Sequence, residues 1–374
     1  MVGGVSTRRW RVAYEDTVEA LVGPGARRAL GGAAAPLGPD LVALVYDEGV
    51  PGGLVEDVAS GLAGAGLRVV RLGLPGGEAV KTLDTVARLW RWLLEVEATR
   101  ASLVVAVGGG AVTDTVGFAA ATYMRGVRWA TVPTTLLGMA DAAVGGKTAV
   151  NLEAKNIVGA FHQPRFIVAD VEYAATLPER EYRSGLAEVA KHALIRGGGM
   201  LERLKTLSGR LLGRDPEALT WAVLESIDVK MGVVSRDPRE ETGLRSILNL
   251  GHTYAHALEK ASGYSIPHGY AVSIGLVVEA YAAVEAVGAD PGLPGLVAGL
   301  LEGLGLPVRP PREPGCGEVV EHVRLDKKRR GDRLLLPLLR EPGRVELVEM
   351  GLGEARRLLM EACARASSGA PALK

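Results

Sequence analysis

Short apolar runs alternate with helical patterns along the first half of the chain, and this alternation constrains the fold more than any other feature. The runs at 41–48, 67–75, 101–110, 129–135 and 165–171 have the length and the apolar character of buried strands. Segments such as LDTVARLWRWLLEVE lie between them, with apolar residues at helical spacing. Strands that alternate with helices in this way predict a doubly wound α/β domain with a parallel sheet.

The pattern changes after residue 176, where helical segments with Asp-Pro or Ser starts and Gly stops predominate. These segments are PEREYRSGLAEVAKHALIRGG, DPEALTWAVLESIDVKMGVV, SILNLGHTYAHALEKASG and YAVSIGLVVEAYAAVEAVG. A Pro/Gly-rich loop at 305–317, a hairpin in DRLLLPLLREPGRVELVEM and a helix from about residue 352 follow. We therefore predict a nucleotide-binding α/β domain over 1–176 and an all-α domain over 177–374, with the ligand in a cleft between them.

Charge and composition argue against several classes of function. The net charge is 0 and the pI is near 7.0, so no overall field attracts nucleic acid or an anionic membrane. We expect no membrane span and no signal peptide, because the N-terminal MVGGVSTRRWRV has no apolar segment behind its basic residues. Two cysteines are too few for a disulfide framework and indicate a reducing cytoplasm.

Amide side chains are rare. Asn occurs only at 151, 156 and 249, and Gln only at 163. Depletion of residues prone to deamidation is typical of high-temperature proteins, although GC-rich codon usage would explain the excess of Ala, Gly and Arg equally well. An asparagine retained in this background is a candidate for a function.

A glycine triplet in VAVGGGAVTDTVGFAA (105–120) ends a predicted strand and leads into a helix. The backbone N–H groups at such a turn favour a phosphate or pyrophosphate, but an ordinary tight turn has the same sequence. The triplet is not the G-x-G-x-x-G fingerprint. Asp47, at the end of the strand over 41–48, is placed where a carboxylate could accept a ribose hydroxyl.

Polar side chains are concentrated within the small-residue stretch 123–156. Arg125, Asp141, Lys147, Lys155 and Asn156 lie there among Gly, Ala and Thr. Lysine ammonium groups in Gly-rich loops suit phosphate oxygens, so this stretch predicts a phosphorylated substrate.

Histidines and a glutamate in the second half have spacings that fit a metal site. His252 and His256 share one helical face, and His268 follows. Glu188 with two of these histidines would fit catalytic zinc with an open position, but spacing does not decide which two. The alternatives are core histidines and, for Glu188 with Lys191 and His192, an ion-paired surface stripe. GHTYAH is not H-E-x-x-H, which argues against a metalloprotease.

Together these segments resemble the 3-dehydroquinate synthase family from about Asp47 to Gly331. The resemblance lies in GGGAVTDTVGFAAATYMRG, VPTTLL, VGGKTAVN, KNIVGAFHQP, TLPEREYRSGLAEVAKH, LRSILNLGHTYAHALE, HGYAV and LDKK. It implies an NAD-binding α/β domain and a helical metal-binding domain, an architecture shared with glycerol-type dehydrogenases.

The resemblance also implies a role for each matching position. The implied metal ligands are Glu188, His252 and His268, with Zn²⁺ as the expected ion and Co²⁺ as the alternative. Proton transfer is implied for His256 and Glu241, with Lys191 as a further catalytic residue. The implied NAD⁺ contacts are Asp47, Glu78, Lys81, Gly109, Gly110, Asp114, Thr134, Thr135, Lys155 and Thr176. The implied substrate contacts are Arg125, Asp141, Lys147, Asn156, Lys191, Lys230, Arg245, Asn249 and either Lys327 or Lys328.

Three positions depart from the family pattern. Gly49 stands where the family usually has Asn, Ser184 replaces a common Asn, and Tyr270 replaces Glu in HGYAV. These changes bear on cofactor affinity more than on the type of reaction. The resemblance further implies that Arg125 serves the phosphate site of a neighbouring subunit, so we expect a homodimer in the cytoplasm.

The implied substrate is a small sugar-acid phosphate, 3-deoxy-D-arabino-heptulosonate 7-phosphate. One hydroxyl is oxidised with NAD⁺, phosphate is eliminated, the ketone is reduced again, the ring opens and an aldol step closes the carbocycle. The alternatives are a metal- and NAD-dependent dehydrogenase of the glycerol or glycerol-1-phosphate type and another sugar-phosphate cyclase. A non-enzymatic binding module would not require a metal trio beside an acid–base pair.

Overall fold

The computed structural model describes residues 4–11, 17–325 and 329–368. Its strands are β1 (Ser6–Arg11), β2 (Thr17–Val22), β3 (Val42–Asp47), β4 (Val69–Leu74), β5 (Leu103–Gly108), β6 (Arg128–Pro133), β7 (Lys147–Leu152), β8 (Ala154–Phe161), β9 (Phe166–Ala169), β10 (Arg329–Arg330), β11 (Arg333–Glu341) and β12 (Arg344–Gly351). Its α-helices are α1 (Leu30–Ala34), α2 (Gly52–Gly64), α3 (Leu83–Glu95), α4 (Gly110–Thr122), α5 (Glu172–Ala175), α6 (Glu179–Arg196), α7 (Gly198–Leu212), α8 (Pro216–Val234), α9 (His252–Ala261), α10 (His268–Ala286), α11 (Leu293–Gly303), α12 (Cys316–Glu321) and α13 (Leu352–Ser368).

The chain forms two compact units. The first runs to Leu177 and includes Leu219–Arg239, and the second comprises Pro178–Ala218 and the chain from Glu240 onward. The second unit is mainly helical, and the predicted hairpin forms its small sheet, β10-β11-β12.

A seven-stranded sheet in the order β1-β2-β9-β6-β5-β3-β4 organises the first unit. Only the edge pair β1–β2 is antiparallel, and the other neighbours are parallel, as the strand–helix alternation predicts. Every residue of β5 is buried, because a central parallel strand is covered on both faces. Helix α3 shows the matching pattern: it begins after Thr82, whose hydroxyl accepts the Thr85 N–H, and it buries Val86, Leu89 and Leu93.

The composition did not predict one covalent link between two helices. Cys316 and Cys363 form a disulfide that joins α12 to α13. Packing of these helices brings the two Cα atoms to 5.9 Å although 47 positions separate them in sequence. Cysteine content therefore does not indicate a reducing compartment here; disulfides are also found inside cells of hyperthermophiles.

Among the described residues, one helix, α10, is long and apolar enough to cross a membrane. Its mean hydropathy is 1.3 over the most apolar window, but 78% of that window is buried within the protein. Core helices pass the same test, and α10 packs against α6, α9, α11 and α13 of its own unit. Its apolar composition is explained by this burial.

Candidate active site

The carboxyl edge of the large sheet has a topological switch point between β3 and β5. The chain places β4 on one side of β3 and β5 on the other, and all three strands are parallel. In open α/β sheets a crevice for ligands forms at such a point. Asp47 ends β3 and Gly108 ends β5, so both expected nucleotide features lie at this edge.

Glycines make the turn from β5 into α4 narrow. A Cβ on Gly108 would lie 2.8 Å from Cβ of Val112, and one on Gly110 would lie 3.0 Å from Cβ of Ala142. Gly109 precedes the first turn of α4, a helix of 13 residues. The three glycines themselves place no side chain at the helix N-terminus, as required for close approach of a phosphate group to the backbone N–H groups.

Asp47 is held in place by its own loop. The Gly49 N–H donates to Asp47 Oδ1 at 2.8 Å, and the carboxylate packs so closely against Gly76 that a side chain there would clash. The glycine that departs from the family pattern thus still contacts the expected ribose-binding carboxylate.

Lys81 links two residues that the sequence assigned to different ligands. Its Nζ lies 2.5 Å from Asp114 Oδ2 and 2.5 Å from Asn156 Oδ1, and its side chain is nearly fully buried. Burial raises the pKa of Asp114 to about 6, and the charge of Lys81 opposes this shift. An expected substrate contact, Asn156, therefore lies among expected cofactor contacts.

Lys230 and Asp141, both expected substrate contacts, form an ion pair. Lys230 Nζ lies 2.9 Å from Asp141 Oδ1 and donates to the Asp141 backbone carbonyl at 2.8 Å. Lys147 is exposed at the start of β7, and Lys155 is half-buried on β8.

The other expected cofactor residues of this unit make mostly local contacts. Thr134 is buried after β6, while the hydroxyl of Thr135 accepts a backbone N–H from its own turn. The hydroxyl of Thr176 donates to a carbonyl three residues earlier, and Glu78 is exposed.

Arg125 lies in a different environment. It is exposed, has a left-handed φ of 66°, and lines a cavity of about 410 Å³ together with Arg128, His162 and Arg165. This basic cavity belongs to the first unit.

In the second unit, one face of α6 carries buried charge. Glu188, Lys191 and His192 are each at most 1% exposed, which rules out a surface stripe. Lys191 Nζ lies 2.5 Å from Glu188 Oε2, so the buried carboxylate has a cationic neighbour on the next turn.

Helices α9 and α10 bring two histidines to this carboxylate. Glu188 Oε1 lies 3.5 Å from His252 Nε2 and 3.3 Å from His268 Nε2. One ligand atom from each of the three residues lies within 4.8 Å of the others. Glu188 and His252 are buried, whereas the side chain of His268 is 31% exposed. One carboxylate and two imidazoles around a common point fit a divalent metal of the catalytic zinc type.

His256 occupies an adjacent position. Its ring centroid is 5.3 Å from that of His252 and 6.2 Å from that of His268, and the residue is exposed. A second possible ligand group, His256, Glu259 and His268, also has its donor atoms within 4.8 Å. Burial distinguishes the two groups, because Glu188 is fully buried whereas His256 is exposed.

Two buried glutamates that the sequence analysis missed support the histidines. Glu259 Oε2 lies 3.3 Å from His268 Nδ1, the nitrogen that faces away from Glu188. Glu279 accepts the Gly251 N–H at 2.7 Å and the Tyr254 N–H at 3.0 Å, which caps the start of α9. An acid in the middle of the apolar pattern of α10 was the available signal for Glu279.

The surroundings hold the two histidines in different protonation states. Burial lowers the pKa of His252 well below its usual range, and the charge of Lys191 adds to this effect. For His268, burial lowers the pKa, but Glu188 and Glu259 outweigh it and raise the pKa to about 10. When no metal is bound, these shifts favour the neutral form of His252 and the protonated form of His268.

The remaining expected residues of the second unit lie around α9. Arg245 is 1% exposed in the 3-10 turn Leu244–Asn249, with Glu240 Oε1 3.8 Å from its Nε. Asn249 is half-buried at the end of that turn, and Glu241 is exposed just before it. Lys327 and Lys328 lie outside the described residues.

Of the two second-unit departures from the family pattern, Ser184 has a visible contact. Its hydroxyl accepts the N–H of Gly269, the residue after His268, at 2.9 Å. A Cβ on Gly269 would clash with the Ser184 backbone, so α6 and α10 are in close contact at the histidine. Tyr270 is half-buried in the first turn of α10.

Sequence and structure comparisons show which known proteins this chain is similar to. The profile "3-dehydroquinate synthase N-terminal" matches residues 71–184, and "3-dehydroquinate synthase C-terminal" matches residues 185–329. The 3-dehydroquinate synthase of Aeropyrum pernix is 40% identical over 362 residues, which cover 96% of this chain and 97% of the relative.

Solved structures of other cyclases share the fold. A 2-deoxy-scyllo-inosose synthase complexed with carbaglucose-6-phosphate, NAD⁺ and Co²⁺ is 27% identical with a TM-score of 0.86, covering 95% of this chain and 99% of its own. A 2-epi-5-epi-valiolone synthase from Streptomyces hygroscopicus with NAD⁺ and Zn²⁺ is 27% identical with a TM-score of 0.83, covering 96% and 100%. Both family profiles and the Aeropyrum relative match this chain, and these cyclases share its fold. The chain therefore belongs to the 3-dehydroquinate synthase family.

Proposed function

We infer that this chain is a 3-dehydroquinate synthase, which converts 3-deoxy-D-arabino-heptulosonate 7-phosphate into 3-dehydroquinate and phosphate in aromatic amino acid biosynthesis. Such an enzyme is a phosphorus–oxygen lyase that depends on NAD⁺ and a divalent metal. The observation that carries the inference is the convergence of ligand atoms from Glu188, His252 and His268 in a chain that matches a 3-dehydroquinate synthase over nearly its full length.

We propose that Glu188, His252 and His268 hold one divalent ion, with Zn²⁺ expected and Co²⁺ as the alternative. The donor set is that of a catalytic site, because three protein ligands leave a position for substrate. The related cyclases that contain Co²⁺ or Zn²⁺ support the choice of metal. Lys191 balances the second oxygen of Glu188, and Glu259 orients His268.

The first unit is proposed to bind NAD⁺ across the switch point. The N-terminus of α4 at Gly109 and Gly110 would receive the pyrophosphate, and Asp47 would accept a ribose hydroxyl. Glu78, Lys81 and the remaining expected cofactor contacts are proposed to complete the binding site. When bound, the nicotinamide accepts and returns a hydride, and the metal polarises the reacting hydroxyl.

The expected charged residues suit a sugar acid that also carries a phosphate. Lys230 and Arg245, each less than 10% exposed, are proposed to bind the carboxylate. The proposed phosphate ligands are Lys147, Asn156, His256 and, from a neighbouring subunit, Arg125. Asp141 and Asn249 would orient the sugar hydroxyls.

His256 and Glu241 are proposed to transfer protons, and both are exposed to solvent. His256 lies one turn beyond His252, so an imidazole beside the proposed metal can hold or release a proton near the departing phosphate. Oxygens of the phosphate itself can accept the proton from carbon. Holding the intermediate between these groups makes the final aldol step effectively unimolecular.

Two other enzyme classes remain as alternatives. A glycerol-type dehydrogenase would share the fold but typically has Asp at the position of Glu188 and lacks the Lys230, Arg245 and Asn249 set. Another sugar-phosphate cyclase would not require two cations for a carboxylate. Identities of 40–48% to 3-dehydroquinate synthases, against 27% to the two other cyclases, favour the first reading.

The assembly is proposed to be a cytoplasmic homodimer. Ile157 and Phe161 expose about half of their surface on one side of β8, and Met124 is similarly exposed beside Arg125. An exposed apolar strand next to a residue expected to serve a neighbouring subunit suits a subunit contact.

The first prediction concerns the hydride balance. Purified protein with a divalent metal and NAD⁺ well below the substrate concentration should release all phosphate from the heptulosonate phosphate, with no net absorbance of reduced nicotinamide. The same substrate molecule is oxidised and then reduced, so the cofactor is regenerated in every turnover. Stoichiometric NADH from glycerol or glycerol phosphate, without phosphate release, would contradict the proposal.

The second prediction separates His256 from the proposed ligands. His256→Ala should keep one metal per chain and lose turnover by roughly 10²–10⁴-fold, the range of a general acid–base group. His268→Ala, the matched control, should lose metal and turnover together. Loss of metal from the His256 variant with retention in the His268 variant would mean that their roles are exchanged.

The third prediction follows from the protonated His268. Its raised pKa of about 10 means that the imidazole must lose a proton when a metal binds near pH 7.5. The calorimetric heat of Zn²⁺ binding should therefore vary with the ionisation enthalpy of the buffer, with a slope near one proton. Because the proton competes with the metal, affinity should rise with pH and level off near pH 10. A slope of zero would contradict the ion pairs assigned to His268.

A further inference from the structure

Asn151 is the one asparagine of the three that the resemblance leaves without a role. It lies in β7 beside the start of the β7–β8 hairpin turn, where the pairing register shifts between Val150 and Leu152. It is half-buried. Its side chain and backbone make hydrogen bonds to the segment Glu78–Lys81, outside the hairpin, and to Asn156 on β8.

Three hydrogen bonds of Asn151 join two segments. Its backbone N–H donates to the Lys81 carbonyl at 2.8 Å. Its side-chain Nδ2 donates to Glu78 Oε1 at 2.8 Å, while Oδ1 accepts the backbone N–H of Asn156 at 2.9 Å. One amide thus connects the 3-10 turn Glu78–Val80 to the far side of the hairpin turn.

The contacts of Lys81 close this connection into a ring. Asn156 has a left-handed φ of 55°, a conformation that asparagine tolerates, and its side-chain oxygen lies 2.5 Å from Lys81 Nζ. Lys81 Nζ also contacts Asp114 at 2.5 Å. Asn151 accepts the backbone N–H of Asn156, and Lys81 contacts the Asn156 side chain. This ring of contacts therefore fixes both the backbone and the side chain of Asn156.

We propose that Asn151 is a positioning residue that couples the Glu78–Lys81 segment to Asn156, so that the cofactor and substrate contacts are ordered together. The proposal rests on the proposed function, which assigns Glu78 and Lys81 to NAD⁺ and Asn156 to the substrate. An amide is needed because it donates to a carboxylate and accepts an N–H at the same time. An aspartate at position 151 would still accept the N–H of Asn156, but it would place a negative charge against the carboxylate of Glu78.

The test compares NAD⁺ dissociation constants by calorimetry, without substrate, for the metal-loaded protein and four variants. Asn151→Asp should weaken NAD⁺ binding by roughly tenfold. The substitution replaces the hydrogen bond from the Asn151 amide to the Glu78 carboxylate with repulsion between two carboxylates. Glu78→Gln measures the loss of the Glu78 charge alone. In the double variant Asn151→Asp with Glu78→Gln, the amide at position 78 can donate to the carboxylate at position 151, so the hydrogen bond is restored in the opposite direction. This variant should bind NAD⁺ no more weakly than Glu78→Gln alone.

Glu153→Gln, in the exposed turn of the same hairpin, is the matched control and should bind like the unsubstituted protein. Metal content and circular dichroism should stay constant across the set. Unchanged binding by Asn151→Asp, or additive losses in the double variant, would overturn the role of Asn151. Failure of the unsubstituted protein to bind NAD⁺ would overturn the proposed function itself, and this inference with it.

Discussion

The buried carboxylate of Glu188 is the group on which the second unit depends. It is 0% exposed on α6, and an isolated charge there would be strongly unfavourable. Lys191, His252 and His268 surround its two oxygens within 3.5 Å. Removing one partner of a buried ion pair typically costs about 3–5 kcal/mol. The pairs of Glu188 with Lys191 and His268 therefore stabilise the contact between α6 and α10, beside which His252 supplies the third proposed metal ligand.

Close approach of α9 and α10 makes this arrangement possible. Gly251 has a left-handed φ of 80° before His252, and a Cβ on Gly275 would clash with its carbonyl oxygen. Glu279 fills the cap of α9 that no residue of its own segment supplies. In the first unit, the switch point between β3 and β5 has the corresponding role, because it brings Asp47 and the glycine turn to one edge.

Sequence periodicity predicted the central strands and the main helices, since burial on both faces gives long apolar runs. It missed β1, whose sequence STRRWR is exposed at the sheet edge, and the β7–β8 hairpin, whose small and polar residues resemble a loop. It also predicted one helix over 246–263, whereas α9 begins at His252 after the left-handed Gly251. The disulfide was missed because its partners meet only through the packing of α12 and α13.

For the candidate site, spacing identified the histidines but not which of them face Glu188. That choice depends on where α10 begins relative to α6, which is set by the contact of Ser184 with Gly269. The supporting residues Glu259, Glu279 and Asn151 had no motif of their own, because their roles arise from tertiary contacts. The scarcity of asparagine marked Asn151 as a candidate for a function, but it did not indicate which function.

Anomalous diffraction at the zinc absorption edge, from crystals of the protein with one equivalent of Zn²⁺, tests the central claim most directly. A single anomalous peak bonded to Glu188, His252 and His268 is the expected result, with His256 outside bonding distance. A peak held instead by His256, Glu259 and His268, or no ordered metal in the second unit, would contradict the account.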